Sequence, residues 1–231
     1  MAHPLRYLSS FLLVWIALTS PANAQGGGAD LAQAVRFTVF SARPLADVAF
    51  VPRRGVGAQQ AVFYPTARSP RYDYRGTSPL RFLDPESGAV IAETVIPPEI
   101  RDALLLFSPL AESSAGGSDL RYRIAVLDDS AGRHRAGDLV IINFSGLALG
   151  GTVGTQAVTL RSGLNPALTI GRSAKITLRT SWQNRSYQSY AHTLALARTE
   201  RALLILFPPF YKGSLEVQPR VLIDTPVTAR E

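Results

Sequence analysis

Short apolar and β-branched runs alternate along this chain with clusters of Gly, Pro, Ser and Asp, at intervals of roughly ten residues. No stretch of helical length repeats its apolar positions with a 3.6-residue period. That rhythm predicts short strands separated by turns, the pattern of an all-β sandwich. A first series of predicted strands covers residues 35–41, 48–51, 61–64, 80–83, 90–96, 103–107 and 122–128. A second covers 139–144, 152–153, 157–160, 175–180, 190–197, 202–207 and 215–223. In 103–107 and 202–207 the period-two alternation nearly disappears, which predicts strands covered on both faces. Leu104, Leu106, Leu203 and Ile205 are accordingly expected to face core.

The two series match in order. VRFTVFSARPLADVAFV (35–51) parallels LVIINFSGLALGGTVGT (139–155), and QAVFY (60–64) parallels QAVTL (156–160). RDALLLFSPL (101–110) parallels ERALLILFPPF (200–210), and YRIAVLDDS (122–130) parallels PRVLIDTP (219–226). A repeat of about 90 to 100 residues with some seven strands has the size of an immunoglobulin-like sandwich. The expected fold is therefore all-β, with two tandem immunoglobulin-like β-sandwich repeats at 35–129 and 138–226. A short polar linker, DSAGRHRAG (129–137), joins them, and a flexible segment, 25–34, precedes them. In this alignment Phe40 corresponds to Phe144, and Phe107 to Phe207. One larger sandwich or barrel built from both halves is the alternative arrangement.

Upstream of the repeats, Arg6 is followed by an apolar run over 7–18, broken by Ser9 and Ser10, and then by Ala22-Asn23-Ala24. A basic start, a short apolar core and an A-x-A site predict a signal peptide over 1–24 and a mature chain beginning at Gln25. The apolar core, about a dozen residues, is short of the roughly 20 needed to span a bilayer. An uncleaved anchor is the alternative. A periplasmic or secreted location is expected, with no integral membrane segment in the mature chain. Cysteine is absent, which excludes both a lipid anchor at the cleavage point and a disulfide framework.

Lys and Arg number 24 against 17 Asp and Glu, and only Lys175 and Lys212 are lysines. Outside the cell, this balance favours acidic glycans or other anionic envelope surfaces as partners, or an unknown protein, over nucleic acid. Arginine-heavy usage equally fits a genome rich in G and C.

The segments VLDDSAGRHRAGDLVIINFSG (126–146) and RALLILFPPFYKGSLEVQPRVLID (201–224) resemble an uncharacterised group of exported bacterial β-sandwich proteins. These pair a strand end of the type Asn143-Phe144-Ser145 with a late apolar strand running into Pro208, Pro209 and Gly213 turns. The resemblance covers mainly residues 120–225. It implies secretion and the sandwich fold, and it carries no activity with it.

A blue-copper site needs Cys and usually Met, and the chain has no Cys and only the initiator Met. After the leader only His134 and His192 remain, so neither a metal site nor a cofactor is expected. No G-x-S-x-G elbow occurs. Asp128 and Asp129 are adjacent, so on a strand they point to opposite faces and cannot form an acid/base pair by themselves. They are expected to cap the strand end and open a turn, with Asp224 at the matching point of the second repeat. No catalytic residue is assigned, and the chain is not expected to be an enzyme.

The segment 68–76 has recognition character. Tyr72 and Tyr74 fall on one face of an extended strand, with Arg71, Asp73 and Arg75 on the other. Arg71, Tyr72, Tyr74 and Arg75 are candidate ligand-binding residues, by stacking on sugars or gripping anions. The alternative is an edge strand whose aromatic side is packed and whose charged side is solvated. Trp182, Arg185, Tyr187 and Tyr190 form a weaker echo. The expected function is that of a non-catalytic exported protein of the cell envelope, a binding or accessory module. The alternatives are a glycan or anionic-surface binder using the Tyr/Arg segments, and an exported hydrolase whose catalytic groups converge from distant loops.

Overall fold

In a computed structural model of the protein, residues 32–110 and 119–226 are described, and every regular element among them is a strand. The expected leader over 1–24, its expected cleavage site and most of segment 25–34 lie outside the described residues. No described helix is long and apolar enough to cross a membrane.

The chain forms four sheets. In the first half, β1 (Ala32–Ser41) lies between β4 (Tyr72–Thr77) and β7 (Asp102–Pro109), with β8 (Tyr122–Asp128) beyond β7. A second sheet sets β2 (Val48–Phe50) between β3 (Gln59–Ala61) and β5 (Leu80–Leu83), with β6 (Val90–Thr94) outside. The second half follows the same order. There β9 (Asp138–Asn143) lies between β16 (Arg201–Phe207) and the short β12 (Gly163–Leu164) and β13 (Leu168–Thr169), with β17 (Gln218–Asp224) beyond β16. Its companion sheet sets β10 (Leu149–Val153) between β11 (Gln156–Leu160) and β14 (Ser173–Trp182), with β15 (Arg185–Ala195) outside. The pairs β1–β7 and β9–β16 are parallel, and the other ladders between strands are antiparallel.

These parallel ladders fix the correspondence between the halves more finely than the apolar runs do. Phe40 sits beside Leu106, and Ile142 beside Ile205, so Phe40 matches Ile142 rather than Phe144. Likewise Phe107 beside Ser41 matches Leu206 beside Asn143, rather than Phe207. The alignment on Phe-Ser strand ends is out of step because those rings mark where a buried stretch stops, not which rung they occupy. The first match is off by two residues and keeps its face, whereas the second is off by one, which exchanges faces. Phe107 accordingly packs inside the first half, whereas Phe207 lies against Phe144 at 6.3 Å, over the contact between the halves.

Strands β7 and β16 are covered on both sides, as their lost alternation predicts. Ala103, Leu105 and Phe107 face a first core with Phe37, Phe50, Phe82 and Tyr72. Ala202, Leu204 and Leu206 face a second core with Ile141, Leu178 and Leu194. The intervening residues Leu104, Leu106, Leu203 and Ile205 meet one another in a third cluster with Phe40, Leu127, Val140, Ile142 and Leu222. The two central sheets therefore pack back to back, largely through matched residues, and each is backed by its companion sheet.

The halves differ most in one hairpin. Gln183 (φ 48°) and Asn184 (φ 60°) make a two-residue turn with both residues left-handed, the geometry that matches strand twist. It lets β14 and β15 run for ten and eleven residues, where β5 and β6 have four and five. The predicted strands at 175–180 and 190–197 stop short of this turn because Trp182, Gln183 and Asn184 carry no glycine to announce it.

Leu106→Ala and Ile205→Ala should each lower stability by about 2–5 kcal/mol, as large-to-small changes in a dry core do. Calorimetry reads this as a clear fall in melting temperature; an unchanged value in both variants would mean that the contact between the halves is not core.

Candidate functional site

The central strands begin with opposite charges. Asp102 opens β7 and Arg201 opens β16 at the same rung, one residue before Ala103 and Ala202. Asp102 accepts hydrogen bonds from Arg36 and Arg71, each at 2.9 Å. Arg201 is fully buried. Its Nε and Nη2 donate to the two carboxylate oxygens of Asp224, both at 3.0 Å, and Nη2 also donates to Asp129 at 2.9 Å. Its Nη1 donates to the backbone carbonyls of Asp129 and His134, both at 3.0 Å. All five guanidinium protons are therefore used.

Asp129 and Asp224 come from matched strand ends. The Asp129 amide donates to the Asp102 carbonyl, and Asp224 pairs with Arg201 across the β16–β17 ladder. Arg68, from the loop between β3 and β4 and with a side chain only 7 % exposed, pairs with Asp129 and lies 3.5 Å from Asp224. Two arginines thus face two aspartates, with one of each contributed by either half. The expected role of a turn cap holds for Asp128, whose carboxylate accepts from the Ser130 amide at 3.0 Å. It does not describe Asp129 or Asp224, which join the halves, because a single chain does not reveal that two distant strand ends meet.

His134 adds the fifth group. Its Nε2 lies 3.0 Å from the carbonyl of Ala202 and must donate, since a carbonyl only accepts. Burial holds its pKa below the ordinary imidazole value, and the charges of Arg201 and Arg68 push the same way. Asp129 and a backbone hydrogen bond with Asp138 oppose them.

Beside this cluster lies a cleft of about 560 Å³ between the halves. Leu104, Leu127, Val140 and Leu203 line it, Asp129 and His134 contribute to its wall, and Glu99, Arg133 and Arg161 add charge of both signs. Oδ2 of Asp129 and both carboxylate oxygens of Asp224 accept from guanidinium groups, so the arrangement is suited to holding the halves together. Among the described residues, no group of three or more His, Cys, Asp or Glu side chains comes together to hold a metal.

The Tyr/Arg segment is divided between two environments. Tyr72 and Tyr74 are buried. The Tyr72 ring lies 5.5 Å from Phe37 and 5.3 Å from Phe50, and its hydroxyl accepts from the Val62 amide at 2.8 Å. The Tyr74 hydroxyl donates to the Thr77 carbonyl at 2.7 Å, and burial raises its pKa. Arg71 is held by Asp102, while Arg75 lies exposed on the edge strand β4. In the second half, Trp182, Arg185 and Tyr187 are exposed near the hairpin tip, and Tyr190 packs against the second core.

Arg68 and Arg201 escaped the sequence reading. The available signal was the charge reversal at one matched position, Asp102 before ALLL and Arg201 before ALLI. No protein-family model matches the sequence, and no curated protein matches it.

Arg201→Met should cost about 3–5 kcal/mol in urea unfolding, because it leaves the buried Asp129 and half-buried Asp224 carboxylates facing one guanidinium. A loss below about 1 kcal/mol, the range of an exposed ion pair, would contradict the cluster. His134 gives a second expectation. It is held neutral in the folded chain and accepts a proton more readily when unfolded, so acid favours unfolding. Its contribution is complete above about pH 6.5 and is lost as pH falls below that value, until folded His134 itself protonates. Between pH 7.5 and 5.5 the urea midpoint should therefore fall, and less steeply in His134→Gln. Equal slopes would remove His134 from the account.

Proposed function

We propose that the protein is a non-catalytic, exported binding or accessory protein of the cell envelope, built of two tandem immunoglobulin-like sandwiches behind a cleaved leader. The observation that carries this reading is the saturation of Arg201. Of the acidic pair that sequence alone offers for chemistry, Asp129 is engaged with Arg68 and Arg201 in joining the halves, and Asp128 accepts from the Ser130 amide in a turn. Carboxylates committed in this way support a shape-holding role.

Further support comes from the shared strand order and from matched residues that meet back to back. A short linker and an apolar contact between two sandwiches favour a body with one arrangement of surfaces. Such a body suits binding or scaffolding. The arginine-rich balance of the chain and its leader-like N-terminus point to an envelope setting.

The test combines two measurements on the protein expressed from its full gene in a bacterial host. Intact mass of the exported form should begin at Gln25, and a panel of ester, glycoside and peptide substrates should show no turnover. Retention of Trp15 in the exported mass would overturn export by cleavage. Turnover abolished by Asp128→Asn would overturn the non-catalytic reading in favour of a hydrolase.

A further inference from the structure

We propose that the outward face of the β11-β10-β14-β15 sheet binds a carboxylated polysaccharide chain; this rests on the reading of the protein as an exported binding protein and names its ligand. The charge of the chain is divided very unevenly. Residues 32–129 contain eleven Lys and Arg and eleven Asp and Glu. From Leu139 to Thr199 there is no carboxylate side chain at all, while Arg161, Arg172, Lys175, Arg179, Arg185 and Arg198 fall within that stretch. All four strands of this sheet lie inside it. A face without any acid, carried on a cationic stretch, attracts polyanions over the range of the Debye length.

The side chains on that face are hydroxylic, small or cationic. Burial along β14 alternates, which puts Ser173, Lys175, Thr177, Arg179 and Ser181 outward. The ladders set Thr152 and Ala191 beside Thr177, and Gly150 and Gln188 beside Arg179. Thr193 lies beside Lys175, Ser186 beside Ser181, and Thr159 beside Gly150. Lys175 and Arg179 stand about 13 Å apart along the strand, with Thr177 midway. Arg179 is oriented, since its Nε and Nη2 donate to the hydroxyl and carbonyl of Ser186 at 2.8 and 3.0 Å. Gly150 leaves a shallow depression next to it, lined also by Ala148 and Ser181.

These features select one class of partner. No outward residue exceeds Ala or Thr in apolar bulk, so the face offers neither the apolar anchor of a protein hot spot nor the inserting side of a membrane-surface element. It also lacks the aromatic platform on which bases of a single strand stack. Threonine and serine hydroxyls both donate and accept, as sugar hydroxyls do, and the two cations meet carboxylates. The counterpart sheet in the first half does not share this character. Its strands are shorter, and Arg81 is paired with Glu93 at 3.5 Å.

The experiment measures binding of the purified protein to polygalacturonate at low and at physiological salt, with dextran and anionic phosphatidylglycerol vesicles as alternative partners. Binding to polygalacturonate that weakens with salt is expected, with none to dextran. Thr152→Glu and Lys175→Glu should each weaken it at least tenfold without lowering the melting temperature. Arg75→Glu makes the same charge reversal as Lys175→Glu on the distant strand β4, and should leave binding within twofold. Equal losses for Lys175→Glu and Arg75→Glu would overturn the site, as would no binding to polygalacturonate at low salt or preferential binding to the vesicles. Such a failure concerns the ligand alone, because leader cleavage and substrate turnover test the underlying reading separately.

Discussion

Strands β7 and β16 are each buried on two sides, and the rest of the molecule is arranged around that fact. A strand with only one covered face needs one companion sheet, whereas these two need a companion sheet and each other. Leu104, Leu106, Leu203 and Ile205 supply the shared layer, and the buried Thr38 sits beside Leu104 on the same face of β1 as Phe40. Where this layer meets the strand ends, Arg201 enters a dry environment that no isolated guanidinium tolerates. Asp129 and Asp224 must then be brought to it, which fixes the ends of β8 and β17, and Arg68 restores the charge balance. The apolar layer thus sets the distance between the halves, and the ion cluster sets their register, since five donors have to meet named acceptors at once.

Much of this was legible in the chain, for physical reasons that differ by element. The runs at 103–107 and 202–207 announce two-sided burial because a fully covered strand has no polar face to show. The order of the strands was readable because both halves place their apolar runs and turns in the same sequence. Strand β4 was not among the predicted strands, yet the alternation of Tyr72 and Tyr74 with charged residues already described an edge strand with packed rings, which is how it lies. The register of the halves was misread because aromatic strand ends were matched instead of rungs.

The ion cluster was hidden for a different reason. Arg68, Asp129, Arg201 and Asp224 are far apart in sequence, and each sits in a context that reads as an ordinary solvated turn or strand start. Only the pairing of matched strand ends across the two halves brings them together. The acid-free stretch from Leu139 to Thr199, by contrast, was plainly visible, and a chain-wide charge balance averaged it away. The two halves share strand order but differ in charge and in strand length. One is neutral, with a companion sheet of short strands, and the other is cationic, with a long hairpin that presents hydroxyls.

Native-state hydrogen exchange of the amides in β7 and β16 tests the central claim that the halves are one cooperative body. If the shared layer and the Arg201 cluster couple them, the amides of Leu104, Leu105 and Leu106 and those of Leu203, Leu204 and Ile205 should exchange with a common free energy, equal to that of global unfolding. Exchange of one strand at a free energy several kcal/mol below the other would show that the halves open independently, and would contradict the account.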